Sequence, residues 1–257
     1  MTYSTGAAAI AAGIEADMTS DHGTTLGRED AMRSVMSCAW RVALTFIVML
    51  ALSGSPASAG VRLGVELGGN LTSLRYEHLD AISFITSYWD PGSRACFTGG
   101  ASMQVRLRGT SSLVTGLRYV QYGNRVKFNF PPPFAIAGEF RIAQHYLAVP
   151  LLLELRPFPS KRLLLAAGTE AAVLLNGKMY IDYTSSGSPS TSGSITHQLN
   201  RADLSLDAEA GLEFPAGTHT GLVTLRYTRG LVDVQKKEDW GVAWQTRGTA
   251  ALIGVRW

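Results

Sequence analysis

What most constrains this chain is the position of its charges along short two-faced segments. The stretch Tyr146 to Arg156 reads Tyr-Leu-Ala-Val-Pro-Leu-Leu-Leu-Glu-Leu-Arg. Leu147, Val149, Leu151, Leu153 and Leu155 occupy its odd positions, and Tyr146, Ala148, Pro150, Leu152, Glu154 and Arg156 the even ones. A β-strand sends alternate side chains to opposite faces. The stretch therefore has one continuous apolar face and one that becomes charged.

Seven further segments share this pattern. They are Val61 to Tyr76, Phe97 to Leu107, Leu113 to Gly123, Leu163 to Leu175, Asp203 to Phe214, Gly221 to Leu231 and Thr249 to Trp257. In the clearest, Leu204, Leu206, Ala208, Ala210, Leu212 and Phe214 alternate with Asp203, Ser205, Asp207, Glu209, Gly211 and Glu213. Period-two patterning repeated this often, with no competing helical segment, predicts an all-β domain.

The charges then orient the faces. Within the central parts of the strands no charged residue falls on the apolar parity; Arg75, Arg141 and Arg229 do so only near strand ends. The opposite parity holds glycines together with Arg62, Glu66, Arg106, Arg118, Glu154, Glu170, Asp207, Glu209, Arg226 and Arg256. A soluble barrel of the lipocalin type would put its charges outside, and it stands as the alternative. The pattern here predicts an eight-stranded, antiparallel, up-and-down transmembrane β-barrel. Its apolar face meets lipid and its charges pair inside a narrow lumen, because a buried charge left alone costs several kcal/mol. The segments reach the ~9–11 residues that a tilted membrane strand needs. Short connections at 108–112, 157–162 and 215–220 alternate with long ones at 78–96, 125–140, 176–201 and 232–247. Such barrels have short turns on one side of the membrane and long loops on the other. A closed sheet leaves no edge, so a monomer is expected.

The N-terminus reads as an address. Arg33 and Arg41 lead into the apolar run Val42 to Leu52, and Ala57-Ser-Ala59 supplies small residues at the expected cleavage position. The run is too short for the ~20 residues of a spanning helix; an N-terminal anchor is the alternative. Residues 32–59 are therefore read as a signal peptide cleaved near Ala59. Residues 1–31 are read as a gene-model or disordered extension, and 60–257 as the barrel domain of a Gram-negative outer membrane. Charged residues make up 17% of the chain, below the ~25% of soluble domains. The net charge of +3 is scattered and leaves no footprint for nucleic acid. Cys38 and Cys96 have no metal-ligand spacing.

Tyr146-Leu-Ala-Val-Pro150-Leu-Leu-Leu is similar to the Tyr-Leu-x-Ile-Pro-Leu-Leu signature of PorT-like outer-membrane β-barrel proteins, small barrels of the OmpA/OmpX type found in Bacteroidetes and their relatives. Gly116-Leu-Arg-Tyr119-Val-Gln-Tyr-Gly123 and Arg226-Tyr-Thr-Arg-Gly-Leu231 resemble two further motifs of that family. The terminal Gly-Val-Arg-Trp257 resembles the aromatic-ended signal read by the barrel-insertion machinery. The resemblance spans residues 60–257. It implies outer-membrane lipid and the insertion machinery as partners, and a surface-protein or secretion partner. It brings no catalytic set.

The acidic row Asp203, Asp207, Glu209 and Glu213 could suggest calcium or acid–base work, but salt bridging to lumenal arginines is the favoured reading. His145 could serve a lipid A-modifying enzyme, yet no suitable serine neighbours it in sequence pattern. His78, His197 and His219 lack ligand spacing. No catalytic, cofactor-binding or metal residue is expected. Phe84, Ile85, Tyr88 and Trp89, and then Phe128, Phe130, Pro131, Pro132, Pro133 and Phe134, make two outer loops apolar: a partner surface, or mutual packing. Ser185 to Ser194 is expected to be mobile, and Tyr119, Tyr227 and Trp257 to sit in aromatic girdles. The expected function is non-enzymatic, structural or binding through outer loops, with an enzyme, a narrow channel and a soluble lipid carrier as alternatives.

Overall fold

A computed structural model of the protein describes residues 60–77, 89–131, 136–158, 162–184, 190–234 and 243–257, all within the compact unit Pro56–Trp257. The readings for residues 1–59, the loop residues Phe84, Ile85, Tyr88, Pro132, Pro133 and Phe134, and 185–189 of the serine tract lie outside the described residues.

Ten strands form one antiparallel sheet: β1 (Val61–Glu77), β2 (Trp89–Gly92), β3 (Arg94–Arg106), β4 (Ser111–Asn129), β5 (Ala137–Leu155), β6 (Leu163–Tyr183), β7 (Thr191–Ser194), β8 (Ala202–Ala216), β9 (His219–Gly230) and β10 (Ala243–Arg256). Every expected segment lies in one of these, to within one residue at its ends. The count is ten rather than eight because β2 and β7 are two further strands of four residues. β2 pairs with the outer end of β4 and β7 with that of β6. Among the eight long strands the pairings run β1–β3–β4–β5–β6–β8–β9–β10 and return to β1, so each has a partner on both sides.

The two faces fall as the charge argument requires. Leu67, Leu151 and Leu225 on the outer parity are 56%, 45% and 60% exposed, whereas Arg118, Glu170 and Asp207 on the inner parity are 3%, 2% and 3% exposed. A soluble fold would not leave such a band bare. Among the described residues no helix is long and apolar enough to cross a membrane. One connection is very tight: Gly217 takes φ 64° in the β8–β9 turn, a conformation that costs glycine little.

The long strands depart from expectation at the loop end. Arg125–Asn129 and Ala137–Phe140, read as loop, are strand in β4 and β5; Asn176–Tyr183 continues β6, and Thr191–Ser194 is β7 rather than a mobile tract. The sequence hides this because the outer face stops being apolar there. Arg125 and Lys127 now alternate with buried Val126, and Glu139 and Arg141 with Ile142. That is the ordinary pattern of a strand wetted on one side. The β5–β6 register also shifts between His145 and Tyr146, skipping Leu175. The bulge moves the buried position on β6 from Leu174 to Gly177 and restarts the alternation on the other parity.

Candidate functional site

The interior has two layers of different chemistry. Near the short-turn end it is ionic. Arg118 (β4) sits among carboxylates, with Nη2 2.8 Å from Glu66 (β1), Nη1 2.7 Å from Glu170 (β6) and 3.6 Å from Asp207 (β8). Arg226 (β9) donates through Nε to Glu209 at 2.5 Å and through Nη2 to Glu66 at 2.8 Å. Closer to the turns a second group forms. Glu154 accepts from Arg256 at 2.7 Å, from Arg156 at 3.1 Å and from Gln104 at 2.6 Å. Arg156 also reaches Glu213 at 2.7 Å. These bonds join β1, β3, β4, β5, β6, β8, β9 and β10 across the interior. They are possible because a lumen this narrow is only wide enough for side chains.

The acidic row thus resolves mainly into structural pairs. Glu209 and Glu213 bind arginines, Asp207 lies beside Arg118, and Asp203 accepts from the Thr246 hydroxyl at 3.1 Å. Among the described residues no group of His, Cys, Asp and Glu has the geometry to hold a metal ion.

Above the ionic layer the interior is apolar, which the charge pattern did not suggest. Val120, Tyr122, Ile142, Tyr146, Ala148 and Leu174 pack with Leu74, and Ile195, Leu199 and Val234 enter from the β6–β8 and β9–β10 connections as a plug. Tyr122 and Tyr146 stack edge to face at 5.7 Å. The sequence signal is weak: Ile195 and Leu199 are lone apolar residues in a polar stretch, and Val234 follows Leu231 and Val232 just past the end of β9. None of the three belongs to a periodic run that would mark it as core.

One stretch of wall is held differently. The β3–β4 ladder ends at Thr98–Val120 and the β2–β4 ladder begins at Gly92–Arg125. Between them the Thr72 hydroxyl donates to the Gly123 carbonyl at 2.8 Å and accepts from its amide at 2.9 Å, while the Gln121 side chain accepts from the Phe97 amide at 3.2 Å. Side chains here replace missing backbone partners. His145 lies nearby on the outer face with Nδ1 2.5 Å from the Tyr119 hydroxyl, which also accepts from Gln121 at 3.0 Å. Phe97 packs tilted on Tyr119 at 6.4 Å. The structure thus joins His145 to a tyrosine and a glutamine. Tyr227 and Trp257 are exposed on the same outer face.

At the rim, β2, β4, β5, β6 and β7 continue as a five-stranded sheet. On its outward side Arg125 pairs with Glu139 at 2.6 Å and Arg141 with Asp182 at 2.5 Å. Phe128 packs against Phe130 and Tyr183, and Arg141 lies 5.7 Å above the Tyr180 ring. Of the second apolar loop, Phe128 and Phe130 therefore contact each other, while Pro131 is exposed.

Residues 53–236, more than half of the chain, match the family described as outer membrane protein beta-barrel domain. The chain belongs to that family. No curated protein matches it. Solved structures similar to this outer-membrane barrel chain include Neisserial surface protein A, at 12% identity and TM-score 0.36, covering 76% of this chain and 95% of that one. OprG of Pseudomonas aeruginosa aligns at 10% identity and TM-score 0.36, covering 77% and 96%. Ail, the attachment invasion locus protein of Yersinia pestis solved with a heparin analogue, aligns at 13% identity and TM-score 0.33, covering 77% and 99%.

Proposed function

We propose that the eight long strands form a transmembrane barrel of the Gram-negative outer membrane and that the protein is a non-enzymatic, monomeric surface scaffold that binds a partner through its projecting rim. In this reading the signal peptide is cleaved near Ala59, the tight turns face the periplasm, and the PorT-like motifs point to a secretion or surface-protein partner.

The observation that carries the reading is the overrun of β4, β5 and β6 beyond the apolar belt. From Tyr119 to Asn129, at about 3.3 Å per residue, β4 gains roughly 33 Å of length. Its outward side chains over that run are polar or charged, as water rather than lipid requires. The filled interior speaks against a channel, since guanidinium–carboxylate pairs and then an apolar plug occupy it in series. His145 beside Tyr119 and Gln121 offers no hydroxyl nucleophile of the serine type.

The test is an epitope inserted within residues 185–189, next to β7. Antibody should label it on intact cells, and the same protein should migrate faster on detergent gels before boiling than after. Labelling only after lysis would reverse the orientation; a soluble, non-shifting protein would remove the barrel. His145→Ala should leave lipid A profiles unchanged, and altered profiles would make the protein an enzyme.

A further inference from the structure

The wall opposite the projecting sheet carries a pair of arginines that the rest of the fold does not account for. Arg229 of β9 and Arg247 of β10 face each other directly across the ladder. Both lie on the outward parity, two register positions beyond the Tyr227–Thr249 pair and next to it on that face. Arg229 is exposed and Arg247 half-buried. Directly opposite residues have Cβ atoms only ~4.5–5.5 Å apart, and like charges there repel.

Nothing on the described outer face offsets that repulsion. The flanking strands present Leu206 beside Arg229 and Ser73 beside Arg247. From Ala202 to Phe214, Gly221 to Arg229, Gln245 to Trp257 and Val61 to Ser73, the outward positions hold no Asp or Glu. Neither arginine makes an ion pair among the described residues, and the Arg247 Nε is buried without a hydrogen-bond partner among them. By backbone register Arg75 and then Glu77 continue β1 past this rung, opposite Gln245 and Ala243. The contrast with the other wall is sharp, for there Arg125 and Arg141 are each bonded to a carboxylate.

The height of the pair says what surrounds it. Trp257 and Arg247 are ten residues apart on one strand, which at ~3.4 Å per residue and a ~40° tilt is a rise of roughly 26 Å. An outer-membrane barrel has an apolar band ≈25 Å tall. With Trp257 at the turn-side edge of the band, Arg229 and Arg247 stand at the opposite edge, level with the headgroups of the outer leaflet.

We infer that Arg229 and Arg247 together form a site for the phosphate group of an outer-leaflet glycolipid, the anion bridging the two guanidiniums and Gln245, Ser73 and Thr249 supplying neutral polar groups around it. Two planar guanidiniums on one rung suit a tetrahedral anion, which can accept a forked pair of bonds from each. The inference rests on the barrel orientation proposed above.

The experiment uses the purified mature chain in neutral detergent, with the boiling-shift midpoint read during titration with diphosphoryl lipid A. The midpoint should rise for the wild type, and the half-saturating concentration should increase at least tenfold for R229Q/R247Q. The ion-paired control R125Q should titrate like the wild type. Without lipid A the sign reverses, because R247Q relieves the repulsion and should melt no lower than the wild type. Equal titration of R229Q/R247Q and wild type overturns the site. Equal binding of dephosphorylated lipid A overturns the role of the phosphate, and an equal response to inorganic phosphate at the same concentration overturns the lipid as its source. If the double variant does not fold, R229Q and R247Q are titrated singly against the same criteria. A wild type with no boiling shift at all removes the barrel reading as well, so the two failures are distinguishable.

Discussion

Single residues in the interior hold opposite signs of consequence. Arg118 pairs with Glu66 and Glu170, so Arg118→Met leaves the buried Glu170 without its guanidinium while Glu66 keeps only Arg226. Breaking a buried pair on one side costs about 3–5 kcal/mol. Denaturant unfolding in micelles should show that loss, and adding Glu170→Gln to Arg118→Met should recover part of it. Tyr146 works the other way. Its ring is fully buried in the apolar layer and its hydroxyl has no partner among the described residues. Tyr146→Phe should therefore stabilise the barrel by about 1 kcal/mol, within the range for an unsatisfied buried group. A loss on that change would show that the hydroxyl has a partner. At Gly116 there is no room to spare: an added Cβ would lie 2.1 Å from the Ala101 carbonyl oxygen. Backbone cannot yield cheaply, so Gly116→Ala should lower the boiling-shift midpoint.

At the scale of elements, the strands divide into a membrane part and a wetted part, and the two were not equally legible in the sequence. Leu147 to Leu155 announces β5 because lipid tolerates no charge on that face. Ala137 to Ala143 belongs to the same strand but carries Glu139 and Arg141 outward, so nothing in its pattern separates it from a polar loop. The ionic layer was legible because its members share strand parity, Arg118 with Glu170 and Glu209 with Arg226. The plug was not, because Leu199 and Val234 reach it from connections whose course no periodicity describes. Leu199→Ala, at a site 1% exposed, should cost roughly 2–5 kcal/mol and speed amide exchange in the outer halves of β5 and β6. The wetted part also has a pH signature. Hydrogen bonds from the Ser190 hydroxyl and the Arg141 guanidinium hold the Asp182 carboxyl below its ordinary range. A depressed folded-state value gives stability that is present above the unfolded pKa of about 3.9 and lost as pH falls through the folded one. Below about pH 4, amide protection factors at the β5–β6 tip should therefore fall, and Asp182→Asn should show the lower protection already at neutral pH.

For the whole molecule, ring pairing of eight strands around a filled interior predicts a stable but closed object. Planar bilayers loaded with the mature chain should show no discrete conductance steps. Steps that vanish on blocking the lumen would mean that the plug moves aside. The same closure leaves the wall itself as the place for specificity, and the wall is uneven. β4 and β6 span 19 and 21 residues, whereas β9, on the other side, has 12.

An uneven rim gives the protein a heading. A cylinder cut square looks the same from every compass point, but one tall on a single side has a windward and a lee. With the rim facing outward as proposed, whatever comes down toward the membrane meets the tall flank first. In the proposed orientation, the overrun of three strands sets the side on which a partner first meets the protein.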